Sequence, residues 1–375
     1  IVLERNPGFR EQYYDATPPA HDARSQAIAA RLAGKRLPLI DRVEVSIVEE
    51  SQPRLLGFLN GEHDWIERLP PELSPPIIPN GQLAPHLTKK GLQLERVPAV
   101  DSGYSYFGME NPVVGGYTPD KVALRRAIGM AYDVQAEITQ ARKGQAVLAQ
   151  SIVPPQMSGF DPAFRSEMSE HSVARARGLL DLYGYRDRDG DGFREQPDGS
   201  PLTIEYSAQP DQASRLTQDL WNKAMKRIGV RMEFKIAKWP EQLKASRAGK
   251  LMMWGLAWSA TMPDGSDFLG LMYGPNKGQS NHARFDLPAY TELYQRQARL
   301  PGGPEREALI REAKKRGVAY MPYKVTGHRI LTDVLVARVA EATGDGEREG
   351  DGQGGERVHG VAAACVHAAA HRKCR

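Results

Sequence analysis

The chain has 375 residues, 41% of them hydrophobic, and 50 Lys and Arg against 46 Asp and Glu give a net charge of +4. That length exceeds what one hydrophobic core usually organises and points to two lobes or two to three domains, and the scattered positive excess forms no stripe that would suit nucleic acid. No apolar run approaches the roughly 18–20 residues of a membrane span, and no leader pattern opens the chain. It begins at Ile1, not Met, so it reads as a segment of a longer polypeptide whose compartment the missing leader does not settle. Cys365 and Cys374 both fall near the end, and the cysteine-free remainder suits an oxidising compartment.

In chain order, Ile1-Val2-Leu3-Glu4 running into Asn6-Pro7 predicts a strand and a turn. Residues 17–33 read as linker and helix ending near Gly34. Residues 41–49 alternate Val43, Val45 and Ile47 as a half-buried strand. A short helix over 52–60 stopped by Gly61, then a strand at 64–66, completes a β-α-β unit. The Pro-rich stretch 70–85 is expected to be a surface crossing with little structure of its own. A strand from Leu92 leads to the aromatic run Tyr104-Ser105-Tyr106-Phe107, and a domain crossing is expected near 105. Thr118 then caps a helix with Pro119 at its first position, followed by Leu124, Ile128, Ala131, Gln135 and Ile138 at helical spacing. A second helix covers 172–183.

Beyond a loop at 187–199 come a strand at 202–206, a helix at 213–228 stopped by Gly229, and a strand alternating Val230, Met232, Phe234 and Ile236. A short helix at 240–248 precedes the apolar run 251–258. Strand-helix-strand-helix-strand with short joints argues for a parallel or mixed sheet covered by helices. The run 251–258 is unbroken by charge and suits a strand buried on both faces. Its break at 259–266 falls at the strand's carboxyl end, where open α/β sheets collect ligands. A core strand followed by a surface loop is the other reading of the same residues.

With those pieces in order, six passages in turn resemble the family 5 extracellular solute-binding proteins of ABC importers: IVLERNP, LNGEHDWI, the VALRRAIGMAYD helix, LLDLYGYRDRDGDGFREQPDGSPL, AWSATMPDGSDF and SNHARFDLPAY. The resemblance covers about residues 1–335. It implies an α/β, type II periplasmic-binding-protein-like fold of two lobes with mixed sheets covered by helices, here incomplete. Residues 1–105 would be the later part of domain I, 106–335 domain III, and 336–375 an atypical, disordered tail. It implies a non-enzymatic receptor, without cofactor or metal, acting in the periplasm as a monomer. That receptor would close over a peptide or other small solute in an interdomain cleft and deliver it to an ABC permease in the inner membrane.

Within AWSATMPDGSDF the peptide-binding members carry an Asp three residues after the Trp, which pairs with the ligand's amino group; here that place is Thr261. Three before the Trp, where oligopeptide-binding members carry a basic residue, stands Gly255. Trp239 and Trp258 match aromatic pocket positions, and Thr261, Asp264 and Tyr106 complete the expected ligand-binding set.

Three other constellations stand apart from that set. Asp187-x-Asp189-x-Asp191-Gly192, with Glu195 and Asp198 following, copies much of a calcium loop, although turn chemistry accounts for the same residues. Cys365-x-His367-x3-His371-x2-Cys374 offers four zinc-type ligands, inside a tail whose composition changes abruptly after about Val336 and reads as foreign. For catalysis, His63-Asp64 with Glu62 or Glu67, and the isolated His328, are the candidates a hydrolase-like alternative would use. No nucleophile elbow, metal pair or phosphate loop accompanies them.

Overall fold

The computed structural model describes residues 1–336, apart from Glu49 and Thr261, and the backbone of 357–361. Its strands are β1 (Val2–Glu4), β2 (Arg42–Ser46), β3 (Trp65–Ile66), β4 (Leu92–Pro98), β5 (Asp101–Phe107), β6 (Ala146–Leu148), β7 (Thr203–Ala208), β8 (Arg231–Ile236), β9 (Met253–Ser259), β10 (Tyr323–Val336) and β11 (Arg357–Val361). Two compact units result, Pro98–Ile330 and the flanking remainder. The chain passes between them inside β4 and inside β10, so β5 lies wholly in the second unit and the passage precedes the expected point near 105.

In the first unit β1 pairs antiparallel with β2, and the later half of β10 pairs antiparallel with β3, Val334 facing Ile66. The expected β-α-β unit is present with helix Ser51–Leu59 between β2 and β3, yet the two strands are not neighbours. β11 lies between them, parallel to both. The segment expected to be a disordered tail therefore contributes one strand. Pairing through main-chain N–H and C=O groups asks little of side-chain composition, which is why the compositional change did not reveal it.

The Pro-rich stretch is also not the bare surface crossing that its composition suggested. Prolines start two short 3-10 turns, Pro71–Leu73 and Pro79–Gly81, and these deliver Ile77 and Ile78 into a core with Leu55, Phe58, Ile66, Leu69, Leu87 and Val334. Burying one such side chain contributes about 1.5–3 kcal/mol, enough to order a stretch that lacks regular structure.

In the second unit β5 is central and buried along its whole length, between β10 and β9, both antiparallel to it. β7 runs parallel to β9 and to β8, so of the parallel or mixed sheet expected from the alternating elements the mixed one is present. Helices cover it: Pro119–Ala131, Val173–Leu182, Gln212–Arg227 and Pro304–Tyr320 are the main ones. Ser172 and Asp211 cap two of these by accepting the N–H of Arg175 and Ser214.

The helix expected to continue to Ile138 ends at Ala131. Asp133 accepts the N–H of Ala136 and restarts the chain as a short turn, followed by the π-turn Glu137–Ala141. An Asp side chain that caps locally competes with helix continuation, and apolar spacing alone does not register that. The break leaves the Tyr132 ring stacked on Trp221, centroids 3.8 Å apart at 17°. β9, expected to be buried on both faces, is buried only at Met253 and Trp254, while Ala257 and Ser259 are exposed. An apolar run does not say how far along it the covering elements reach.

Candidate ligand-binding site

Antiparallel register puts Trp254, Leu256 and Trp258 on one face of β9, and Gly255, Ala257 and Ser259 on the other. Trp258 is half-buried against the core, and its indole N–H is buried with no acceptor among the described residues. Immediately beyond the strand Ala260 returns to the core and Met262 projects outward. Thr261 lies outside the described residues.

Asp264 anchors the loop that follows. Both of its carboxylate oxygens accept from Arg306 Nη2, at 2.7 and 2.8 Å, and Oδ1 also accepts the N–H of Ser266 at 2.8 Å. Partial burial would raise its pKa, but the Arg306 and Ser266 hydrogen bonds outweigh burial and hold the carboxyl at about 2. The expected ligand contact is thus already engaged by the protein, and Asp264 positions the loop. Arg306 lies 42 residues downstream on another helix, so no local signal in AWSATMPDGSDF could have named it.

Trp239 opens helix Trp239–Arg247 and does not end a strand; it is 43% exposed and its ring lies 5.1 Å from that of Trp254. Trp258 stands four residues further along β9 than Trp254, roughly 13 Å at strand rise. Trp239 and Trp258 are therefore separate aromatic surfaces and not one cage. Tyr106 does not reach solvent: it is 1% exposed, and its hydroxyl is bound to Ser246 Oγ at 2.7 Å, which in turn meets His282 Nδ1 at 2.8 Å. Burial, only partly offset by the Ser246 bond, pushes that phenol well above its usual range. Tyr106, expected in the ligand-binding set, is a core residue, since the whole strand is covered.

The remaining constellations resolve differently. Asp187, Asp189 and Glu195 bring carboxylate oxygens within 4.8 Å of one another. Asp191, the third Asp of the pattern, instead pairs with Arg231 at 2.6 Å. Asp187 accepts the N–H groups of Gly190 and Gly192, and Asp189 that of Asp191, so turn formation accounts for their placement. Asp198 accepts from Ser200 and is not directed at the cluster. Cys365, His367, His371 and Cys374 lie outside the described residues.

Asp64 and Glu67 are buried, burial raising the Glu67 pKa. His328 Nδ1 lies 3.0 Å from both the Asp101 carbonyl and Ser102 Oγ, while that hydroxyl donates to the Ile152 carbonyl at 2.7 Å. A hydroxyl that donates to a carbonyl and is fully buried is a structural bridge and not a nucleophile. Among the described residues no helix is long and apolar enough to cross a membrane.

Comparison with known proteins agrees with this architecture. The bacterial extracellular solute-binding proteins, family 5 (middle), match residues 1–280. Heme-binding protein A of Haemophilus influenzae is 26% identical over 281 residues, covering 74% of this chain and 47% of that protein. The oligopeptide-binding protein OppA of Bacillus subtilis is 21% identical over 289 residues, covering 76% and 49%. NikA from Brucella suis, solved in complex with Fe(III)-EDTA, superposes with a TM-score of 0.67 at 18% identity, over 83% of this chain and 59% of that one. The chain spans about half the length of the curated relatives it matches. With the type II periplasmic-binding-protein fold and a family match over most of its length, this chain belongs to the bacterial extracellular solute-binding proteins of family 5, a family of binding proteins and not of enzymes.

Proposed function

We propose that this chain is the recognition part of a periplasmic receptor that binds a peptide or other small solute non-covalently and delivers it to an ABC permease in the inner membrane. The observation that carries the reading is the carboxyl end of β9. There the Trp258 indole N–H is buried without an acceptor among the described residues, beside a loop held by the Asp264–Arg306 pair. A buried donor left unpaired costs about 1–3 kcal/mol, and an oxygen of the solute would recover it. The half-exposed Trp239 ring offers a second surface for stacking. Thr261 is carried forward from the sequence as a hydroxyl that orients the solute, and Asp264 acts through the loop it holds.

The relatives' names span an oligopeptide and a heme, so the solute class calls for a panel. Thermal unfolding of the chain is followed with short peptides, sugars, amines and haem. A solute that binds only the folded state raises the melting temperature in proportion to RT ln(1 + [L]/Kd). Stabilisation by one class, lost in Trp258→Ala, is the expected result. A melting temperature unmoved by every class would refute the reading, and turnover of any of them would favour the hydrolase-like alternative.

A further inference from the structure

Arg142 follows the π-turn Glu137–Ala141, and its guanidinium is held from beneath by a chain of buried groups. Glu137, 4% exposed, takes its Nε at 2.7 Å and stands 2.6 Å from its Nη2, both through the same oxygen, Oε1. The other oxygen, Oε2, accepts the Tyr132 hydroxyl at 2.8 Å. The Tyr132 ring is in turn stacked on the fully buried Trp221. The pair is one-sided: among the described residues Nη1 has no protein acceptor, and it is absent from the buried unpaired atoms, so it reaches solvent. The Arg142 side chain as a whole is 29% exposed.

The guanidinium lies over a row of small residues in the sheet. Gly103 pairs with Gly327 on one side and with Ala257 on the other, so nothing larger than a methyl rises from three adjacent strands. A Cβ added at Gly103 would stand 3.5 Å from Arg142 Nη2. The neighbouring cations are committed. Arg329 is bound to the buried Asp101 carboxylate at 2.6 Å, and Lys324 is fully buried with its Nζ donating to the Met168 carbonyl. Burial disfavours the charge on Arg142, and the Glu137 carboxylate more than offsets it, so the guanidinium stays charged.

We propose that Arg142 contacts the solute and receives its carboxylate across the Gly327–Gly103–Ala257 row; this rests on the solute-binding reading above. A planar guanidinium with an uncommitted edge matches a carboxylate better than a point charge would, and pre-positioning by Glu137 and Tyr132 lowers the entropy lost when the pair forms.

The test compares each carboxylate-bearing solute with its neutralised form, tri-alanine against tri-alanine amide and haem against its dimethyl ester, by titration calorimetry on the unaltered chain. Loss of a charge-assisted hydrogen bond predicts about 10- to 100-fold weaker binding of the neutralised form. In Arg142→Gln that preference disappears, the free and neutralised forms binding alike. Because Arg142→Gln leaves the buried Glu137 carboxylate without its cation and can unfold the turn, Arg142→Gln/Glu137→Gln serves as the second variant, with the same expected loss. Equal binding of free and neutralised forms by the unaltered chain, or a preference that survives both variants, overturns the assignment and leaves solute binding standing. Stabilisation by carboxylate-free sugars or amines alone does the same. Binding of nothing in the panel overturns both.

Discussion

Gly255 stands on β9 where the resemblance implies a basic residue in oligopeptide-binding members, and the structure shows what fills the space around it. An added Cβ at Gly255 would lie 2.5 Å from the Tyr206 hydroxyl, with the next ring atom already at 3.6 Å, an ordinary contact. That hydroxyl is bound to Ser105 Oγ at 3.0 Å, on a residue only 6% exposed, so it cannot swing away without leaving a buried polar group unpaired. Gly255→Ala should therefore destabilise the second unit by about 1–3 kcal/mol, as overpacking does. Tyr206→Phe alone should cost about 0.5–1.5 kcal/mol for the lost hydrogen bond. In the double substitution the clashing oxygen is gone, so the alanine should add almost nothing, and the coupling in the cycle should recover about 1–3 kcal/mol. Urea unfolding followed by tryptophan fluorescence, on the four chains, measures each corner. Additive effects within about 0.5 kcal/mol would refute the claim that one hydroxyl is what makes glycine necessary there.

Two predictions concern pH and one concerns the core. Asp264, held at about 2, contributes stability that is present above the ordinary carboxylate range and lost as pH falls through 2. Because this carboxylate is more than a third exposed, Asp264→Asn should cost only about 1 kcal/mol at pH 7, and melting temperatures of the two chains should converge between pH 4 and 2. Burial beside Ser246 and Arg247 holds His282 down to about 4. The unfolded chain therefore binds a proton between pH 6.5 and 4 that the folded one refuses, and stability falls as pH drops through that window. His282→Gln should flatten this part of the stability-pH curve, by about 3 kcal/mol across it; a curve of unchanged slope would refute the assignment. Trp221→Ala removes a fully buried ring stacked on Tyr132 and should cost about 3–5 kcal/mol, read as a shift of the urea midpoint.

Much of the architecture is legible in the residues alone. Period-2 alternation places β2 and β8, helical spacing places the helix from Ser172 and the one that Gly229 stops, and the order of elements implies a parallel or mixed sheet. These signals are local: each depends on backbone period, a cap or a left-handed glycine, and is complete within a few positions. The family model matches residues 1–280. What the tertiary structure decided is which side chains are already committed. Tyr106, expected to face a solute, is closed in by Ser246, 140 residues later, and Asp264 is claimed by Arg306, 42 residues later. Arg142, with no motif around it, gains its open edge because Glu137 takes one side of it over a row of small residues, Gly327, Gly103 and Ala257, drawn from distant strands. Whether a polar side chain is spent inside the fold or left for a ligand depends on partners that chain closure brings together, and neither periodicity nor spacing along the sequence records them.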